Sequence, residues 1–243
     1  MKVYLNEITG MDDALVSMYM SKRTWTPELD ERIRDDWWRC YYGGEQDNEE
    51  EWQKSLKETE TRIKAFLKYA WIHTTMLDFV TISATVEGIH RAGQDDWDAH
   101  ACRFNNRIIR ASTRLADFKE GEMSDFYKGK IIPTDVAVKE LFSNHSLPEE
   151  MWVDGQKYVK SVNGYIREDF KDNRDVKRGL YMESIPSNFI FKVNMAQWAH
   201  VYRLRNENGT ANPEVKQLAE MLQDEIEKQM PWFNREFLAK VQI

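Results

Sequence analysis

The chain has 243 residues, of which 42% are apolar, with 9 Trp, 10 Tyr and 11 Phe; this is material for a substantial folded core, not a disordered segment. The net charge of −7 argues against a nucleic-acid polymer as partner, and no apolar run reaches the length of a membrane span. Two distant cysteines, Cys40 and Cys102, lack ligand-like spacing, and the opening residues carry no apolar signal-peptide block, so a reducing, cytoplasmic setting is expected.

Val3 and Leu5 alternate with Lys2, Tyr4 and Asn6, which predicts a strand over residues 2–7. Asp12 and Asp13 then open a helix carrying Leu15, Met18 and Tyr19. Thr26-Pro27-Glu28 is a second helix start, running through Ile33, Trp37 and Trp38 to a stop at Gly43-Gly44. The acidic stretch from Glu45 to Glu51 reads as loop or as the first turn of a long helix, a solvated face being favoured; that helix carries Ile63, Phe66, Leu67 and Ala70. From Leu77 to Ile89 the pattern is β-like, and Asp95–Leu115 reads as helix with Trp97, Ala101 and Phe104 at helical spacing. Residues 117–147 read as polar connection, and Pro148–Phe170 as an amphipathic helix with Val159, Val162, Ile166 and Phe170 on its apolar face.

Phe189, Phe191 and Val193 alternate with Ile190 and Lys192 as a strand, Asn194 suits an N-cap, and Trp198, Val201 and Tyr202 follow at helical spacing. Asn212-Pro213-Glu214 opens a last long helix with Val215, Leu218, Leu222 and Ile226 inside, ended by Pro231-Trp-Phe. No repeat or Pro/Gly/Ser-rich linker divides the chain. The expectation is one domain over residues 1–243, of helix-rich α+β class with a small antiparallel sheet.

The common catalytic signatures are absent: no glycine-rich phosphate loop, no G-x-S-x-G, no histidine pair with metal spacing. His73, His90, His100, His145 and His200 are scattered, and a buried structural role is the ordinary one for a cysteine such as Cys102. What stands out is arginines beside small polar groups: Ser112-Thr-Arg114, Lys177-Arg178 and Arg203-Leu-Arg205. A guanidinium fork grips a phosphate or a pyrimidine edge through paired hydrogen bonds that lysine does not reproduce. Arg205 lies eleven residues after Asn194, close to three helical turns, so the two share nearly one face.

These residues fall in a pattern that resembles the flavin-dependent thymidylate synthases. Family members carry A-R-x-x-L-P, a strand, N-x-R, a helix and L-R, then A-Q-x-E-I and a closing P-W/T-F element. Arg178, Asn194 and Leu204-Arg205 match at spacings of sixteen and eleven residues without a gap; Ala211-Asn-Pro-Glu-Val215 and Pro231-Trp-Phe233 stand in for the later elements. Upstream, His73-Thr-Thr-Met-Leu-Asp-Phe79 resembles H-x-S-x-x-E-H, and Val86-Glu-Gly-Ile-His-Arg-Ala92 resembles I-x-G-I-S-R-A. The signature R-H-R-x-x-S-x-N-E-x-S-x-R-Y departs: its end survives as Ser112-Thr-Arg114-Leu115, while R-H-R falls on Cys102-Arg103-Phe104 counting back, or near His100 counting forward with about three inserted residues. N-x-R becomes Asn194-Met-Ala196, and L-P becomes Tyr181-Met182.

The resemblance implies Ser112, Arg114 and Arg178 on the deoxynucleotide, Arg205 polarising the uracil ring, and His100, Arg103, Asn194 and His200 on the flavin. It implies C5 methylation of dUMP with methylenetetrahydrofolate as carbon donor, FAD as hydride carrier and NADPH as reductant, in a homotetramer. Since the altered residues belong to the flavin side, two alternatives stand beside this: a related C5 modification, such as hydroxymethylation, of another pyrimidine nucleotide, or a silent nucleotide-binding homologue that lost its flavin.

Overall fold

The computed structural model describes residues 1–43, 48–101, 107–112, 122–126, 138, 147–173, 180–181, 183–206 and 212–242. Among these the elements are β1 (Lys2–Thr9), α1 (Met11–Ser21), α2 (Pro27–Tyr41), α3 (Glu49–Ala70), β2 (Thr81–His90), α4 (Arg91–Ala101), β3 (Arg107–Arg110), β4 (Glu150–Val153), β5 (Gln156–Ser161), β6 (Gly164–Arg167), β7 (Pro186–Asn194), α5 (Met195–Asn206), α6 (Pro213–Gln229) and α7 (Arg235–Lys240). One sheet has the strand order β1-β2-β7-β3, and a second has β4-β5-β6. The class is helix-rich α+β. Among the described residues no helix is long and apolar enough to cross a membrane.

Two compact units make up the chain, one of Tyr4–Ala84, His100–Arg107 and Phe191–Ile243, the other of Met1–Val3, Thr85–Ala99 and Ile108–Ile190. In the first, α2 packs on α3 and α1 touches both, while α5 packs on α6 and α7. Gly10 sits before α1 at φ 79°, where a Cβ would stand 2.1 Å from the Phe79 carbonyl oxygen, so the entry turn admits only glycine. Thr26 caps α2 as expected, its hydroxyl accepting from the Leu29 N–H at 3.2 Å, with Pro27 at the first helical position. Ile33 and Trp37 are buried; Trp38 is instead 56% exposed, 100° further round the same helix. Ile63, Phe66 and Ala70 of α3 face the core.

Between α2 and α3 lies a polar knot that apolar spacing does not reveal. Arg62 pairs with Asp36 at 2.5 Å, and the other oxygen of Asp36 accepts from Ser55 Oγ at 2.8 Å. Cys40, one helical turn after Asp36, donates to Thr59 Oγ1 at 3.7 Å, and burial pushes its thiol pKa up, away from nucleophile behaviour.

In the second unit the structure corrects two expectations. The helix foreseen over Pro148–Phe170 is the antiparallel meander β4–β5–β6, with registers Met151↔Tyr158 and Val159↔Ile166. Its turns decide this. Asp154 and Gly155, at φ 50° and 73°, form the two-residue left-handed hairpin that Asp-Gly favours. Asn163, at φ 59°, turns β5 into β6 just ahead of Gly164. The helical spacing of Val159, Val162 and Ile166 is coincidental, since only Ile166 is buried. The helix foreseen over Asp95–Leu115 is α4 followed by strand β3. Trp97 of α4 is buried against Phe189 of β7. His90 is fully buried, stacks on Phe126, and lies so close to Gly93 that a Cβ there would meet the ring at 2.6 Å. It fills a structural place. The expected β segment at residues 77–89 starts at Thr81, after a short 3-10 turn at Thr74–Met76.

Candidate functional site

The strand-to-helix corner expected at Asn194 is present and tied on both sides. Phe189, Phe191 and Val193 are buried while Ile190 and Lys192 face outward, so β7 alternates as read. Asn194 Oδ1 accepts from the Gln197 N–H at 2.7 Å, and the Met195 N–H donates to the Val80 carbonyl at 2.8 Å, which fixes the first turn of α5. Asn194 thus keeps its amide NH₂ and the second lone pair of Oδ1 for any ligand.

Along α5, Trp198, Val201, Tyr202 and Arg205 are buried, and Arg205 is only 5% exposed. Arg203 and Arg205 occupy the last turn, where the helix dipole favours positive charge. His200 is half-buried. Helical geometry sets it about 140° from Arg205, whereas Asn194 and Arg205 lie within about 20° of one another. A planar ligand against this helix meets the Asn194–Arg205 face or the His200 face, not both.

A network on α6 and α7 holds α5 in place. The Trp198 indole N–H donates to Gln223 Oε1 at 2.8 Å, and Gln223 Nε2 donates to the Phe233 carbonyl at 2.8 Å and to Glu227 at 3.0 Å. The Tyr202 hydroxyl donates to Glu220 at 3.1 Å and accepts from Arg235 Nε at 3.0 Å. Arg235 also meets Asp224 at 2.5 Å and Glu227 at 2.9 Å. Burial works against the Arg235 charge, but hydrogen bonds to Asp224 and Glu220 outweigh it, so its pKa rises; burial first, then Glu220, raises that of Tyr202. None of Gln223, Glu220 or Arg235 was singled out from sequence. The i, i+4 acid spacing of Glu220 and Asp224 was the available signal, and it reads equally well as solvated surface.

In the other unit, Ser112 is exposed just after β3, and Ala111 N–H donates to the Asn188 carbonyl at 2.8 Å. The next residue back in β7, Ser187, donates to Gln94 Oε1 at 2.5 Å, and Arg91 Nη1 donates to the same oxygen at 3.2 Å. Arg110 bridges Asp95 at 2.6 Å and Asp98 at 3.1 Å. The block Val86–Ala92 covers the end of β2, with Gly88 at φ 77° inside the strand, and the start of α4.

Arg103, Arg114 and Arg178 lie outside the described residues; His100 belongs to α4 by its backbone alone. Arg205 is thus the one nucleotide arginine of the sequence reading whose surroundings are on view. No group of three or more His, Cys, Asp or Glu residues suited to a metal ion occurs among the described residues.

The sequence profile of the family described as Thymidylate synthase complementing protein (Thy1) matches residues 24–232. No curated protein matches significantly. Among solved structures, the chain is similar to the flavin dependent thymidylate synthase ThyX from Helicobacter pylori complexed with FAD and dUMP. There the TM-score is 0.57 at 12% identity, over 97% of this chain and 99% of that one. It is also similar to a UMP/dUMP methylase, PolB, from Streptomyces cacaoi bound with 5-Br dUMP, with TM-score 0.56 at 13% identity over 100% and 96%. At such identities the likeness speaks for the fold, and the profile for descent. With the profile spanning all but the first and last stretches of the sequence, the chain belongs to the Thy1 family, that of the flavin-dependent thymidylate synthases.

Proposed function

We propose that this protein methylates the uracil C5 of dUMP, with Arg205 as the residue that polarises the base. The observation that carries this is the family match over residues 24–232 together with a buried guanidinium at the end of α5. Uracil C5 is a weak nucleophile. Guanidinium donors against the ring carbonyl stabilise the negative charge that develops as C5 attacks a one-carbon donor, and burial strengthens that interaction. Ser112, Arg114 and Arg178 hold the 5′-phosphate and sugar by charge-assisted hydrogen bonds.

The amide NH₂ of Asn194 is a donor suited to a flavin carbonyl oxygen, and the ring of His200, on another face of α5, one suited to a phosphate oxygen outside the flavin plane, so these residues would hold different parts of an FAD, with His100 and Arg103 completing the set. Bound in reduced form, FAD supplies the hydride. In balance, the C5 hydrogen leaves as a proton, methylenetetrahydrofolate gives its carbon and departs as tetrahydrofolate, and NADPH restores the reducing equivalents. The whole of residues 1–243 acts as one domain in a cytoplasmic homotetramer.

The test is an absorption spectrum of the purified protein, scanned for a flavin band, followed by tritium release from 5-tritiated dUMP with mass analysis of the product. Release with a product one methyl group heavier supports the reading; a colourless protein that neither takes up FAD nor releases tritium ends it. Lysine keeps the charge of Arg205 but not its fork, so Arg205→Lys is expected to lower tritium release by about 10²-fold. Arg178→Ala is expected to weaken nucleotide binding by about 2 kcal/mol, read by calorimetry.

A second reading is C5 modification of another pyrimidine nucleotide, or delivery of a hydroxymethyl group. The similarity to a UMP/dUMP methylase and the altered R-H-R and N-x-R elements favour it. Tritium release from UMP but not dUMP, or a product heavier by a further oxygen, selects it.

A further inference from the structure

Next to Arg205, at the last residue of α5, stands a side chain with no part in the sequence reading. Both polar atoms of the Asn206 amide, Nδ2 and Oδ1, are shielded from solvent, and neither has a hydrogen-bond partner among the described residues. Two polar groups earlier on the same helix behave differently. Tyr202, one turn earlier on nearly the same face, has its hydroxyl bonded to Glu220 and Arg235, and Trp198 is bonded to Gln223. An amide left with both donor and acceptor unused is costly in a folded protein, and such groups mark places where something else belongs.

The geometry of an amide restricts what that is. Nδ2 and Oδ1 point the same way from one carbon, so the partner must present a donor and an acceptor side by side. A trans peptide group directs its N–H and C=O in opposite directions and satisfies only one of them at a time. The edge of a pyrimidine ring presents both together: O4 and N3–H in uracil, N4–H and N3 in cytosine.

We propose that Asn206 reads the hydrogen-bonding edge of the pyrimidine base, Nδ2 donating to O4 of uracil and Oδ1 accepting from N3–H. This rests on the reading of the chain as a pyrimidine-nucleotide enzyme. It adds a specificity-determining residue adjacent to the arginine that polarises the ring. No group among the described residues fixes the orientation of the amide, so the same side chain turned by half a revolution pairs with cytosine. Asn206 thus recognises a pyrimidine edge without itself separating uracil from cytosine.

The experiment is calorimetric binding of dUMP, dCMP and 2-deoxyribose 5-phosphate to the full-length protein and to Asn206→Ala and Asn206→Asp. Alanine removes both hydrogen bonds and should weaken dUMP and dCMP alike, by about tenfold or more, while leaving the base-free sugar phosphate unchanged. Aspartate only accepts, so it should repel O4 of uracil, keep one bond to N4–H of cytosine, and move the dUMP-to-dCMP affinity ratio at least about tenfold toward dCMP. Unchanged nucleotide affinities in both variants overturn the proposal. So does an equal loss for the sugar phosphate and the nucleotides, which marks Asn206 as structural. A wild-type protein that binds the sugar phosphate but gains nothing from either base overturns it without any variant. Failure of the wild type to bind all three compounds removes the functional reading first, and this proposal with it.

Discussion

Asp36 and Arg62 show what a single buried charge pair asks of its surroundings. Both carboxylate oxygens of Asp36 are used, one by Arg62 and one by Ser55, between two packed helices. Removing one partner leaves the other charged and dry, so Asp36→Ala is expected to cost about 3–5 kcal/mol in urea unfolding. Replacing both residues by apolar ones of similar volume is expected to cost far less. Tyr202 carries a pH signature of its own. Burial and Glu220 favour its neutral form, so the native residue holds its proton more tightly than the unfolded chain does. The stability this contributes is full below the ordinary tyrosine value of about 10 and is lost as the pH rises through the higher native value. Thermal melts across that range should therefore fall less steeply for Tyr202→Phe than for the wild type. Asp36 and Arg62 were not conspicuous in the sequence, and Tyr202 was read only as part of an apolar face, because hydrophobic periodicity registers what is apolar and is blind to polar groups that pair inside.

At the scale of elements, legibility followed the strength of local chemistry. The helix starts at Thr26-Pro27, Asn194 and Asn212-Pro213 were readable, because a cap residue, in two cases with proline behind it, leaves few alternatives, and all three side chains accept the expected backbone N–H. The cap on α5 is expected to be worth about 1 kcal/mol, measured as the loss in denaturant stability of Asn194→Ala. The meander β4–β5–β6 was misread because Val159, Val162 and Ile166 match a helical period, while Asp154-Gly155 and Asn163-Gly164 carry the hairpin signal in two residues each. Two-residue turns outweigh a three-residue stripe when both recur at strand spacing. Gly155→Ala should accordingly cost about 1–2 kcal/mol through its positive φ alone, since open space surrounds the added methyl group.

For the molecule as a whole, family and fold class were legible while much of the site was not. The spacing from Arg178 to Arg205 and the blocks at residues 73–79 and 86–92 carried the family. The site resisted because the nucleotide arginines read from sequence are remote from one another along the chain, and of them only Arg205 lies among the described residues. Assembly can be checked directly: light scattering on a size-exclusion column is expected to give about four times the mass of the 28.9 kDa chain.

The corner where β7 becomes α5 carries a rule about inheritance. Arg205 returns to the side of Asn194 only because the peptide between them winds close to a whole number of turns. One codon gained or lost inside α5 would swing the guanidinium through about 100° and turn its charge from one neighbour to another, with every amino acid still present. Exchanges of side chain leave that angle alone. Outside its capping, buried and terminal polar positions this stretch is therefore freer to drift in spelling than in length, and a frame-preserving insertion there should silence the protein where many substitutions at its half-buried positions would not.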